Sequence, residues 1–248
     1  MSQLEKIYVI WKRDVLRFSR ERAQVLSMIF LSLVWLVIFG KGIGAMKIAT
    51  KYDVFIFPGV IGMILLVISL RSGVSIIRDR EFGFLRVIVA SPTSRTSIIL
   101  AKVLGGSTAA VSQGILLMLL SFVVKVSWGI RTFIYMVALM FLISFGLVSL
   151  GVFIASYLRS FESFNLVMSL LFVPLFLASS ALFPVEILPH WMQTIMFLNP
   201  FTYGVDALRE VLLEMTEIGL YRDLAVLISF DALLFTAATM SFRTKLAR

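Results

Sequence analysis

The run Val54-Phe55-Ile56-Phe57-Pro58-Gly59-Val60-Ile61-Gly62-Met63-Ile64-Leu65-Leu66-Val67-Ile68-Ser69-Leu70 carries no charge, continues past Arg71 to Ile77, and ends in Arg78-Asp79-Arg80-Glu81. A hydrocarbon layer about 30 Å thick is crossed by roughly 20 apolar residues of helix, so this stretch predicts a membrane span. Four further uncharged runs obey the same rule: Ala23 to Gly40, Val103 to Val124, Thr132 to Leu158 and Ser163 to Val185. A sixth, Leu224 to Phe242, is interrupted by Asp231 alone. The sequence therefore predicts an all-α integral membrane protein, with six transmembrane helices in one domain over residues 1–248 and both termini on one side.

Composition narrows the function. Of 248 residues, 60% are hydrophobic and 15% charged, more apolar than a soluble domain and a poor setting for catalysis in water. The absence of cysteine excludes disulfides, thiolate metal sites, S-palmitoylation and a cysteine nucleophile, and the single histidine, His190, leaves metal chemistry short of ligands. Basic residues outnumber acidic ones by 23 to 14, a net +9. They sit mainly at the ends of apolar runs and form no continuous patch with aromatic platforms, so orientation in a bilayer explains them better than nucleic acid does. With both termini inside, sixteen basic residues fall on the inner side and seven (Lys41, Lys47, Lys51, Lys125, Arg131, Arg209, Arg222) on the outer. The positive-inside rule thus predicts a multi-pass protein of the plasma (cytoplasmic) membrane with cytoplasmic termini.

Residues 1–22 have their own pattern. Leu4, Ile7, Tyr8, Trp11, Val15 and Phe18 recur at spacings of three and four, with Lys6, Arg13, Arg17 and Arg20 turned elsewhere, which predicts a helix lying in the lipid headgroup interface. The acids Glu5, Asp14 and Glu21, and the length ahead of the first apolar run, are unlike a secretory signal.

Two polar insertions interrupt the apolar runs. On the inside, residues 78–92 combine charge with apolar bulk: Phe82, Leu85 and Val89, and also Phe84 and Ile88, recur at helical spacing before Pro92. Such a face suits either an interfacial anchor or a docking knob for a cytosolic partner. On the outside, residues 184–219 hold about a dozen mostly apolar residues between Ile187 and Leu198, too few to cross, as in a re-entrant or interfacial segment. Asn199 then suits an N-cap with Pro200 at the first helical position. The next helix places Val205, Leu208 and Leu212 on one side and Asp206, Arg209 and Glu210 on the other, with Asp206 and Arg209 spaced to pair.

Asp231 inside the last span costs about 2.5 to 3.5 kcal/mol on insertion scales, so it needs protein or water around it and a partner, for which Arg71 is one candidate. Arg71 is equally able to snorkel to the inner interface. Gly105 with Ala109, and Gly106 with Ala110, let the third span approach a neighbour closely. His190 reads as an interfacial polar residue beside Trp191. No phosphate-binding G-x-x-x-x-G-K-[ST] loop, dinucleotide fingerprint or G-x-S-x-G elbow occurs, so the chain reads as neither an ATPase nor another enzyme.

These residues resemble the type-2 ABC exporter permeases, particularly the drug-resistance and nodulation-factor export branch. The inner segment Arg80-Glu81-Phe82-Gly83-Phe84-Leu85-Arg86, followed by Val89-Ala90-Ser91-Pro92, Arg95 and Lys102, is similar to that family's cytoplasmic loop between the second and third spans. The outer segment, with Phe183-Pro184, Leu188-Pro189, Trp191, Asn199-Pro200-Phe201-Thr202-Tyr203 and Val205-Asp206-Ala207-Leu208-Arg209, resembles its signature before the last span. Many members have Gly-Thr and an acid where this chain has Gly83-Phe84-Leu85-Arg86, a departure that leaves branch and substrate open. The resemblance implies an inner coupling helix and an outer re-entrant helix pair. It also implies a homodimer, or paired permeases, bound to two ATP-binding subunits, with ATP and Mg on those partners and no cofactor on this chain. Phe82, Phe84 and Leu85 would seat in an apolar cleft of the ATPase while Arg80, Glu81 and Arg86 orient it.

A greasy pathway with few ionisable groups suits amphiphiles, drugs or lipid-linked molecules, although saccharide exporters share this size. Phe122, Phe141, Phe145, Phe153 and Phe172 are candidates to line it, or to face lipid or core. The competing class is an ion-coupled secondary transporter or channel working through Asp231 and Arg71.

Overall fold

A computed structural model of the chain describes residues 2–45, 52–83 and 93–245. Within them the chain runs through α1 (Gln3–Arg20), α2 (Arg22–Ala45), α3 (Tyr52–Ser72), α4 (Val74–Glu81), α5 (Arg95–Met118), α6 (Ile130–Tyr157), α7 (Phe161–Leu177), α8 (His190–Leu198), α9 (Pro200–Leu213) and α10 (Leu220–Lys245). Short 3₁₀ turns at Leu119–Val124 and Val185–Ile187 join some of them, and no strand occurs among the described residues.

Local chemistry places several boundaries. Ser2 and Glu5 form a reciprocal capping box at the start of α1, and Ser94 and Ser160 cap α5 and α7 through the backbone N–H groups of Ser97 and Ser163. Lys125 and Glu214 adopt left-handed backbone at φ 58° as they close the preceding helices.

Four helical stretches are long and apolar enough to cross a membrane: Tyr52–Glu81, Arg95–Phe122, Ile130–Tyr157 and Leu220–Phe242. The pair Gln3–Arg20 and Val25–Gly40, bent by 65°, makes a fifth if it is one span. The expected run from Ser163 to Val185 is helical only to Leu177, so α7 has 17 residues. The chain stops winding there because the Asn199 side-chain amide, arriving from α9, donates 2.8 Å hydrogen bonds to the carbonyls of Leu175 and Ala178. Charge misplaces another boundary. The third run, expected from Val103, begins at Arg95 and carries Lys102 inside the helix, because Lys102 has buried acidic partners.

α3 is the central post. It is apolar around its circumference, and Ile56 through Leu66 are almost wholly buried, as expected of a helix enclosed on all sides. α2, α5, α6, α7 and α9 pack around it, and α10 lies chiefly along α6. Small residues set the closest approaches. A Cβ on Gly73 would stand 2.3 Å from the Gly151 carbonyl oxygen, and one on Gly151 would stand 2.5 Å from that of Leu70, so the α3–α4 junction and α6 touch backbone to backbone. The small residues of α5 also serve neighbours in the same chain: Gly105 faces Trp11 and Asp14 of α1, and Gly106 faces Ser72 and Val148.

Overpacking a tight core costs about 1–3 kcal/mol. Gly151→Val is therefore expected to lower the melting midpoint of the detergent-purified protein by several degrees, read as loss of the monodisperse peak after heating. Gly42→Ala, where a Cβ meets nothing within 4 Å, is expected to leave that midpoint within a degree.

Candidate functional site

α4 carries the charged run beyond the end of α3. Arg80 donates from Nη1 to the Leu158 carbonyl at 2.9 Å, tying α4 to the end of α6. Glu81 is exposed, Phe82 is 80% exposed, and Gly83 takes φ 71°, a left-handed conformation that glycine adopts without a Cβ penalty. Phe84, Leu85 and Arg86 lie outside the described residues, as does the rest of 84–92.

Both flanks of that segment are held by α1. On the upstream side, the Lys102 ammonium, 1% exposed, lies 2.5 Å from Asp79 Oδ2 and 3.1 Å from Asp14 Oδ2. Arg13 Nη2 lies 2.8 Å from both Asp14 Oδ1 and Asp79 Oδ2. Two cations and two carboxylates thus neutralise one another across α1, α4 and α5. On the downstream side, the Ser94 backbone N–H and the Ser97 hydroxyl each donate to Gln3 Oε1 at 3.2 Å. Between these anchors, Trp11 Nε1 donates to Thr108 Oγ1 at 3.0 Å.

The helix expected to lie flat in the interface is therefore also docked on α5. Leu4 and Tyr8 of its apolar stripe remain exposed, while Ile10, outside that stripe, is buried. Sequence reasoning missed this cluster. Its available signals were an acid beside a base in a basic leader, Arg13-Asp14, and a lysine that the helix pattern carries inward.

The other end of α3 starts at Tyr52, some 20 residues and so about 30 Å of helix away. There α8 and α9 fold back as two short helices, joined at Asn199. Asn199 Oδ1 accepts from Phe201 N–H at 3.0 Å, while its amide closes α7. One side chain thus caps two helices. Thr202 and Tyr203 donate from their hydroxyls to the carbonyls of Met196 and Phe197 at 2.7 and 2.8 Å, which locks the bend.

The expected Asp206–Arg209 pair forms, with Nη1 3.6 Å from Oδ1 and 3.9 Å from Glu217 Oε1, but both side chains are 1% exposed. Asp206 and Arg209 thus meet inside the protein. Arg209 lies 4.1 Å over the Phe55 ring, a cation–π contact that favours the guanidinium in a dry site, and its Nη2 donates to the Ser180 carbonyl. Asp206 accepts from Thr216 Oγ1 at 2.9 Å and from the backbone N–H groups of Glu217 and Ile218 at 3.1 and 3.0 Å. Glu217 accepts from Val185 N–H at 3.2 Å. Burial pushes the Glu217 carboxyl above its ordinary range, while Arg209 works against it. Pro184 is partly buried; Pro189, His190 and Trp191 are exposed, and Trp191 shares an outward apolar face with Ile187, Ile195 and Leu198.

Asp231 and Arg71 are not brought together. Asp231 packs on α6, where a Cβ at Gly146 would meet its Oδ1, and that oxygen has no hydrogen-bond partner. Arg71, at the end of α3, lines clefts between α1, α2, α3 and α7 and makes no ion pair among the described residues. Of the aromatic residues expected along a pathway, Phe172 lines such a cleft, Phe122 and Phe141 point outward, and Phe145 meets Phe235 in a tilted ring contact. Among the described residues, no three His, Cys, Asp or Glu side chains converge on a metal site.

The model of the ABC-2 type transporter family matches residues 5–213, which takes in the Arg13–Asp14 anchor of α1, the α4–α5 connection and the capped bend at Asn199. The chain belongs to that family. It is a multi-pass membrane permease, and membership of the family implies the transmembrane subunit of an ABC transporter system with an ATP-binding partner. It is similar to proteins named as transport permeases, ycf38, of Pyropia yezoensis and Cyanophora paradoxa. The first is 32% identical over 84% of this chain and 74% of the relative, the second 29% over 83% and 73%. A protein of Escherichia coli K12 carrying the name of a multidrug ABC transporter permease, YbhR, is 23% identical over 78% of this chain and 53% of its own length.

In this ABC-2 permease, Lys102→Met leaves Asp79 and Asp14 to share Arg13 alone, one buried negative charge in excess. Breaking a buried pair from one side costs about 3–5 kcal/mol, so the variant is expected to lose its monodisperse peak well below the wild-type midpoint. Lys102→Met combined with Asp79→Asn, which restores charge balance, is expected to recover most of that midpoint.

Proposed function

We propose that the chain forms the pathway of an ATP-driven exporter of amphiphilic, drug-like, lipid-linked or saccharide molecules, working as a homodimer with two separate ATP-binding subunits. ATP and Mg belong to those subunits. In this reading α2, α3, α5, α6, α7 and α10 make six crossings of the plasma (cytoplasmic) membrane. Both termini are cytoplasmic, α8 and α9 are an outer re-entrant pair, and residues 78–92 are the coupling segment.

The observation that carries the reading is the exposed Phe82 at the tip of α4, at the start of a connection whose two flanks are clamped to α1. An aromatic left bare beside charges fits a partner's apolar cleft, where buried anchors dominate binding energy. Arg80, Glu81 and Arg86 orient the contact through charge-assisted hydrogen bonds. Because Asp79 and Ser94 are tied to α1, a push on the segment moves α4, α5 and α1 together. Closure of the ATPase dimer therefore biases which face of the pathway is open. The resemblance of the inner motif to family coupling loops, and the multidrug name carried by one relative, point the same way.

Phe82→Asp and Phe84→Asp are each expected to insert normally and retain the wild-type melting midpoint. Both are expected to lose co-purification with the ATP-binding subunit, or to leave its hydrolysis running without export. Undiminished export and pull-down in both variants would remove the role given to this segment.

A further inference from the structure

Two cavities meet at Arg71. One, of about 620 Å³, is an apolar groove with α3 as its floor and α2 and α7 as its rims, lined among others by Leu31, Trp35, Met63, Val67, Phe172 and Val173. Its volume falls within the roughly 300–1,000 Å³ of small-molecule sites. The other, of about 210 Å³, continues from it past the shared residues Arg71, Phe161 and Asn165 toward α1 and α4. That second chamber is of mixed polarity and positive: Arg17, Arg71, Arg78 and Lys102 face two acids, Asp14 and Glu21.

The pairing inside the positive chamber decides what it lacks. Lys102 and Asp14 belong to the buried cluster, and Glu21 lies between Arg17 at 3.8 Å and Arg78 at 3.7 Å. Arg71 is left without an acid among the described residues, at the junction where the apolar groove opens into the charged chamber. A guanidinium at the end of a membrane span gains most from an anion with two or more acceptor oxygens. A chain lying in the groove and a head at Arg71 fill both halves at once.

We propose that this cleft binds the exporter's cargo, an amphiphile whose long apolar chain lies between α2 and α7 and whose phosphate or carboxylate head sits on Arg71, flanked by Arg17 and Arg78. This narrows the export reading above to anionic, chain-bearing molecules, and rests on that reading for the movement of the cargo though not for its binding. The head then lies one turn from α4, whose Asp79 is tied to α1 and α5. Occupancy and the coupling connection therefore share a lever.

The probes are phosphatidylglycerol and phosphatidylcholine, each with brominated tails, titrated into the full-length chain in uncharged detergent. Tryptophan quenching is read as the difference between wild type and Trp35→Phe, so that the groove is reported. Wild type is expected to be half-quenched by the anionic lipid at a concentration at least tenfold below the zwitterionic one. Arg71→Gln should reduce that ratio to below threefold, Arg71→Lys should restore it in part, and Ser169→Phe, which fills the groove without adding a tryptophan, should abolish quenching of Trp35 by both lipids.

In vesicles holding the chain with its ATP-binding subunit, fluorescently headed phosphatidylglycerol should cross in an ATP-dependent manner, and Arg71→Gln should slow it at least tenfold. Equal quenching by the two lipids, or a preference unaltered in Arg71→Gln, overturns the proposal. So does anionic binding without ATP-driven movement in vesicles that export another molecule, since the lipid is then a resident. So does ready disulfide linkage of two Ser169→Cys chains, which places a second copy in the groove. Vesicles that export nothing while the anionic preference persists overturn the export reading instead.

Discussion

The Lys102 ammonium is the constraint around which the α1 end is arranged. It lies within a helix of an apolar bundle and is shielded from solvent, where an unpaired charge is costly. Asp79 and Asp14 offset it, and Arg13 balances the second carboxylate. Because these four groups come from α1, α4 and α5, satisfying one charge fixes three helices. It also fixes the stem of the connection between α4 and α5, at whose start Phe82 stands exposed.

The far end of α3 solves a similar problem by different means. Arg209 is buried over Phe55 and shares Asp206 and Glu217, and Asp206 in turn gathers the backbone of the α9–α10 turn. The Asn199 amide stitches α7 to α9. The central helix is therefore gripped by polar networks at both ends and by backbone contact at Gly151 near one of them, with its middle enclosed in apolar side chains. A rigid post of this kind transmits displacement between its ends better than it absorbs it. That property fits a subunit driven from one side.

Between the two networks lies the groove of α2, α3 and α7, where polar satisfaction stops at Arg71. Its positive mouth lies beside the charged cluster, so a head bound there sits next to the connection whose two flanks α1 holds. Asp231 is a separate matter. It is buried against Gly146 of α6, away from the residues that line this groove, and one of its oxygens has no hydrogen-bond partner.

What the sequence determined by itself was whatever is settled within one or two helical turns or by the length of an apolar run. Long uncharged runs specify helices because backbone polar groups in hydrocarbon must be bonded within the segment. The Asn199-Pro200 start of α9, the Asp206–Arg209 spacing and the amphipathic leader are local in the same sense. Only the tertiary structure decided how far charged residues are carried inward. Lys102 bounds an uncharged run yet lies inside a helix, Arg209 is buried with its acid, and Asp231 and Arg71 do not meet. The reason is that burying a charge depends on a partner brought from elsewhere: Asp14 and Lys102 are 88 positions apart, and Arg209 and Phe55 154. No local pattern encodes such a distance, because it is set by helices packing against one another.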